Sequence, residues 1–123
     1  MKKAKWFVSL FLLMVLVPVH GQAQAGFVDG NEFIQVMRAY EQSEREGGGK
    51  NSEVTFGEGY YLGYVTGVRE ASAFLFDIPS GVTAGQLAHV VAKYLKEHPK
   101  RWAEPALVLV IDAIREAFPQ KKK

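Results

Sequence analysis

The 123-residue chain contains no cysteine, which excludes disulfide bonds, thiolate metal sites and catalysis by a cysteine nucleophile. Histidine is also scarce, and His89 and His98 lack the short spacings of a histidine metal site. The chain has no GxSxG, HExxH or phosphate-loop motif of the kind that enzymes use. We therefore expect no metal, no cofactor and no catalytic residues.

The first 25 residues have the three parts of a secretory signal peptide. Three lysines within the first five residues precede an apolar run over residues 6–19, which is short for a bilayer span of ~20 residues. Small residues at Ala23 and Ala25 then predict cleavage after Ala25. The sequence thus predicts an exported, periplasmic domain over residues 26–123, and an uncleaved membrane anchor is the alternative.

Cleavage would change the charge of the protein. The removed segment carries three lysines and no acidic residue, so the mature chain would have 12 basic and 13 acidic residues, a net charge of −1. Three of the remaining positive charges are the terminal residues 121–123. No basic face is left that would suit a nucleic acid, so we expect no nucleic-acid partner.

Hydrophobic periodicity predicts four amphipathic helices and no strand, and so a single all-α domain built as a small four-helix bundle. Asp29 and Thr83 have the spacing to the following Glu32 and Gln86 that is typical of helix N-caps. The predicted helices cover about 30–46, 52–76, 84–98 and 105–118.

Two details of this bundle follow from side-chain spacing. Gly59, Gly63 and Gly67 recur every fourth residue and share one helix face, which predicts close packing against another helix inside the domain; a glycine-lined partner surface is the alternative. In the last helix, Leu107 and Val108 are expected to face the core.

Two polar segments are candidates for binding a partner. The connection before the last helix contains Lys100, Arg101 and Trp102, residue types of which arginine and tryptophan are enriched at interface hot spots. The loop between the first two helices contributes Lys50 and Glu53. The alternative for Trp102 is that its ring folds back and covers the end of the bundle.

A set of motifs along the whole mature chain resembles the Rap/Tai family of periplasmic immunity proteins. The motifs are Gly63-Tyr64-Val65-Thr66-Gly67-Val68, Phe76-Asp77-Ile78-Pro79-Ser80-Gly81-Val82-Thr83, Gln86-Leu87, His98-Pro99 and Ala117-Phe118-Pro119. The resemblance implies a protein that binds a peptidoglycan amidase effector of a type VI secretion system and occludes its active site. It also implies that the protein forms a homodimer.

The chain departs from the family pattern at four positions where family members have cysteine. These positions fall at Met37, Tyr61, Asp77 and Gln120. We expect Met37 and Tyr61 to replace one disulfide by apolar packing, and Asp77 and Gln120 to replace the other by a hydrogen bond. The resemblance thus implies a cysteine-free variant of the fold.

A periplasmic chaperone or stress-related binding protein is the competing function. Such a chaperone needs apolar surface that it can expose, often at low pH, and His89 is the only well-placed histidine for such a switch. A dye that binds exposed apolar surface, followed as the pH falls, would distinguish the two functions.

Overall fold

The computed structural model describes residues 27–48 and 51–121. These residues form four α-helices and two short 3₁₀ turns, with no strand in either described range. The predicted all-α, four-helix fold is therefore confirmed, whereas the predicted signal peptide lies outside the described residues. The helices are α1 (Gly30–Glu46), α2 (Ser52–Ala71), α3 (Ala84–Glu97) and α4 (Ala106–Ala117), and the 3₁₀ turns are Ala73–Leu75 and Pro99–Arg101.

Side-chain caps fix where the helices begin. The Asp29 carboxylate accepts a hydrogen bond from the Glu32 backbone N–H at 2.9 Å, as the sequence predicts. Thr83 and Gln86 form a reciprocal capping box at the start of α3. The second helix is shorter than predicted, because α2 ends at Ala71 and the chain then tightens into a 3₁₀ turn.

Helices α1 and α2 are in close contact at Gly57. A Cβ atom added there would lie only 2.5 Å from the Ala39 Cβ atom, so a larger residue would force the helices apart. This contact lets the aromatic residues of both helices pack in one core with α3 and α4. The largest fully buried side chains are Tyr40, Tyr61, Phe33, Ile34, Met37, Leu95, Leu109 and Ile114.

The prediction that the glycine stripe packs inside the domain is wrong. Gly59, Gly63 and Gly67 are exposed, and nothing lies within 4 Å of a Cβ atom added at any of them. A four-residue spacing shows that residues share a helix face, but it does not say which face meets the core. The core face of α2 instead carries Gly57, Tyr61, Val65 and Val68.

The predicted orientation of α4 is wrong at its first turn. Leu107 and Val108 are 48% and 39% exposed, whereas Leu109 and Val110 are fully buried. Residues 106–111 are all apolar, so hydrophobic periodicity carries no information about the orientation of this turn.

The two pairs of positions at which the resemblance implies cysteine in other family members behave differently. Met37 and Tyr61 are both buried in the core, and the Tyr61 hydroxyl donates a hydrogen bond to the Ala88 carbonyl at 2.8 Å. Burial raises the pKa of Tyr61 far above its ordinary value of 10, so the hydroxyl keeps its proton and remains a donor.

At the second pair, the side chains bond to backbone groups rather than to each other. Gln120 Nε2 donates to the Phe74 carbonyl at 2.7 Å, and Asp77 Oδ2 accepts from the Lys121 backbone N–H at 2.5 Å. The predicted direct hydrogen bond between Asp77 and Gln120 is thus replaced by two bonds that tie the end of the chain to the segment after α2.

Candidate partner-binding surfaces

The connection between α3 and α4 (residues 98–105) is held by the side chain of Arg101. The guanidinium donates hydrogen bonds to both Glu104 carboxylate oxygens at 2.6 and 2.7 Å and to Asp112 of α4 at 2.8 Å. It also donates to the Tyr94 hydroxyl of α3. Arg101 therefore joins both helices that flank the connection, and most of its donors are used inside the domain.

Charge reinforces this arrangement. Hydrogen bonds to Glu104 and Asp112 raise the pKa of Arg101 above its ordinary value, and the guanidinium holds the pKa of Glu104 below its ordinary value. Asp112 is half-buried and pairs with Arg115 as well as Arg101. The connection is consequently anchored by a network of four charged side chains, which are those of Arg101, Glu104, Asp112 and Arg115.

The Trp102 ring folds back and covers the end of the bundle, which was the alternative to a role in binding a partner. Its indole Nε1 donates to the Leu95 carbonyl at 2.8 Å, and the Arg38 guanidinium lies 5.9 Å from the ring centroid. The Trp102 backbone lies so close to Gly30 that an added Cβ atom there would approach it to 2.7 Å. Of the three predicted residues in this connection, only Lys100 is exposed to solvent.

A second surface lies between α2 and α4. Gly63 and Gly67 line part of it, and a glycine-lined partner surface was the alternative sequence interpretation of these two residues. This α2–α4 groove has a volume of about 570 Å³ and only uncharged lining residues, among them Gly63, Tyr64, Gly67, Phe74, Leu107 and Ile111. From the Tyr64 ring at the groove, a row of aromatic side chains continues along α2 through Tyr60 to Phe56. The ring centroids of Tyr64 and Tyr60 are 6.2 Å apart, and those of Tyr60 and Phe56 are 6.0 Å apart. The signal in the sequence is the row of aromatic residues beside the glycine stripe on α2.

The described ranges contain no group of three or more candidate metal-ligating side chains. Within the same ranges, no helix is both long and apolar enough to cross a membrane. A family model described as Rap1a immunity proteins matches residues 29–119, which include all four helices. The chain belongs to this immunity protein family. No curated protein and no solved structure matches the chain.

In this immunity-family domain, the two predicted binding segments lie far apart. Trp102 packs beside Gly30 at the start of α1, whereas Glu53 follows the loop at the other end of α1 and is exposed. Lys50 lies outside the described residues. A 17-residue helix is ~25 Å long at 1.5 Å per residue, so the segments at its two ends do not form one compact site.

Proposed function

We propose that this protein is a periplasmic immunity protein that binds a peptidoglycan amidase delivered by type VI secretion and blocks its active site. The observation that carries the proposal is the match to the Rap1a immunity family across the whole folded domain. The signal-peptide features of residues 1–25 agree with a periplasmic site of action, because the cell wall that an amidase attacks lies there. The protein acts by steric occlusion and needs no catalytic group of its own.

The α3–α4 connection is the part of the domain best prepared for such binding. Its backbone is fixed by Arg101 and Trp102, so little conformational entropy is lost when a partner binds. We assign direct contact to Lys100, which is exposed at the tip, and a positioning role to Arg101 and Trp102. Glu53 and Lys50, near the opposite end of α1, are candidates for a separate contact.

A toxicity assay tests the function and the location together. Each type VI peptidoglycan amidase encoded by the source genome is directed to the periplasm of a host strain, with or without the full chain. The full chain should prevent lysis by one amidase, and a variant that lacks residues 2–25 should not. The purified protein should also block cell-wall hydrolysis by that amidase at an equal molar ratio. Lysis by every amidase despite periplasmic accumulation of the protein would refute the proposal.

The contact surface is tested separately with matched charge reversals. Lys100→Glu should weaken amidase binding at least tenfold, whereas the same change at Lys93, which is also exposed and lies on α3, should leave it unchanged. Arg101→Ala should lower both stability and affinity, because it frees two carboxylates from the connection. Equal affinities for the Lys100 and Lys93 variants would exclude the connection as the contact.

A chaperone function remains the second candidate, and the exposed apolar α2–α4 groove is the observation that favours it. A chaperone would suppress aggregation of several unrelated unfolded proteins, and more strongly at low pH. An immunity protein would instead bind one amidase at a fixed stoichiometry.

A further inference from the structure

His98 follows the last residue of α3, and one nitrogen of its ring is bound inside the domain. Nδ1 lies 2.8 Å from the Tyr94 carbonyl oxygen, which also accepts the His98 backbone N–H at 3.1 Å. The imidazole stacks on the Tyr94 ring, with the two centroids 4.0 Å apart and the two planes 26° from parallel. The hydrogen bond and the stacking together fix the orientation of the imidazole.

The bond at Nδ1 also fixes the position of the ring proton. A carbonyl oxygen can only accept, so Nδ1 carries the hydrogen, and Nε2 of the neutral ring is left with a lone pair. His98 is half-buried, yet Nε2 has no hydrogen-bond partner in the described part of the chain, where every buried side-chain nitrogen and oxygen has one. Nε2 is therefore open to solvent as a hydrogen-bond acceptor.

His98 begins the α3–α4 connection, which Arg101 and Trp102 hold in place. The Arg101 backbone N–H donates to the His98 carbonyl at 3.0 Å and closes the 3₁₀ turn that carries the exposed Lys100. Capping of the end of α3 uses only the backbone N–H and Nδ1 of His98. The fold thus leaves Nε2 without a role, at a fixed position next to the turn that carries the lysine we assign to the partner contact.

From this geometry we propose that His98 contacts the amidase, and that its Nε2 accepts a hydrogen bond from a hydroxyl or amide N–H group of that enzyme. The inference rests on the proposed function, in which Lys100 makes direct contact. Opposite charges face each other across an interface, so the complementary patch on the amidase combines a carboxylate for Lys100 with a neutral donor for His98. Because the ring is already immobilised, little further side-chain entropy is lost when this bond forms.

Two substitutions separate the roles of the two ring nitrogens. His98→Asn keeps an N–H donor close to the position of Nδ1 but has no atom at that of Nε2, so it should keep most of the stability and lose about tenfold in amidase affinity. The amide oxygen of His98→Gln can reach the position of Nε2, so this variant should bind more tightly than His98→Asn while being less stable. Stability is measured by urea denaturation, and affinity by calorimetry with the amidase found in the toxicity assay.

His89 provides the matched control, because it is an exposed histidine near the other end of α3, where it faces Glu44 at 3.7 Å. His89→Asn should leave amidase affinity unchanged. Affinities that follow the stabilities of the two His98 variants would show that His98 is only a cap of α3 and would overturn the inference, while the proposed function would stand. So would equal affinities of wild type and His98→Asn.

Nitrogen NMR of the free protein checks the tautomer without any partner. At about pH 8, where an ordinary histidine is neutral, His98 should have a protonated Nδ1 and an unprotonated Nε2. Addition of the amidase should shift the Nε2 signal of His98 and leave that of His89 in place. A protonated Nε2 in the free protein would overturn the inference alone, whereas a wild-type protein that binds no amidase would overturn the proposed function and this contact together.

Discussion

Replacement of Gly57 by alanine should destabilise the protein, although alanine is the better helix former. An added Cβ atom at Gly57 would lie 2.5 Å from the Ala39 Cβ atom, well inside van der Waals contact. Overpacking of this kind lowers the free energy of unfolding by ~1–3 kcal/mol, whereas the higher helix propensity of alanine raises it by only about 1 kcal/mol. We expect a net loss of about 1–2 kcal/mol in the free energy of unfolding, measured by urea denaturation followed by circular dichroism.

The same substitution at Gly59 is the matched control. Gly59 lies in the same helix but has open space around it, so alanine there should gain about 1 kcal/mol from propensity alone. The two variants should therefore shift the melting temperature in opposite directions, by several degrees each for a domain of this size.

A second substitution identifies the contact responsible. In an Ala39→Gly background the clashing atom is absent, so Gly57→Ala should become stabilising. The double-mutant cycle should give a coupling energy of about 2 kcal/mol between the two positions. Equal effects of Gly57→Ala in both backgrounds, or a stabilising effect in the wild type, would refute the close approach of α1 and α2.

Three further predictions test other parts of the domain. Tyr61→Phe removes the buried hydrogen bond to α3 and should lower the free energy of unfolding by about 1–2 kcal/mol, measured by urea denaturation. The hydrogen bond with Arg101 lowers the pKa of Glu104 in the folded state, so ionised Glu104 stabilises the fold above pH 4.5, its ordinary pKa, and this stabilisation is lost as the pH falls below that value. The stability of the Glu104→Gln variant, measured by acid unfolding, should therefore depend less on pH in this range than that of the wild type. Asp77→Cys with Gln120→Cys should crosslink under oxidising conditions, as mass spectrometry would show, and failure to crosslink in a folded protein would contradict the cysteine positions that the resemblance implies.

Most of the fold could be predicted because its signals are local. Asp29 and Thr83 cap helices through residues three positions later, and such short-range patterns do not depend on the rest of the molecule. The orientation of Leu107 and the role of Gly57 could not be predicted, since both depend on which neighbouring helix lies nearby. Gly57 and Gly59 differ in their position around the same helix. As a result, Gly57 lies against α1, whereas Gly59 faces open solvent.

The sequence alone does not decide which residues bind a partner, for a related reason. Sequence reasoning selected Arg101 and Trp102 because such residues are frequent at interfaces, but the same side chains are also suited to bridging helices. It placed the exposed glycines in the core because close packing between helices is their commonest structural use. A residue can be assigned to an interface only when it is known whether its side chain already forms contacts within the domain.

The positions at which the resemblance implies disulfides in other family members show the same dependence on context. At positions 37 and 61 the side chains present, Met37 and Tyr61, are both fully buried. Burial of a large apolar side chain contributes ~1.5–3 kcal/mol to the free energy of unfolding, which is comparable to the ~3 kcal/mol expected of a disulfide that closes a loop of this length. At Asp77 and Gln120 the replacement is two exposed hydrogen bonds of about 1 kcal/mol each, against ~4 kcal/mol for the longer loop. Compensation is therefore nearly complete in the core and incomplete at the chain end. A disulfide restored at positions 77 and 120 should consequently stabilise the protein, whereas one at 37 and 61 would sacrifice the buried packing and the Tyr61 hydrogen bond for little net gain.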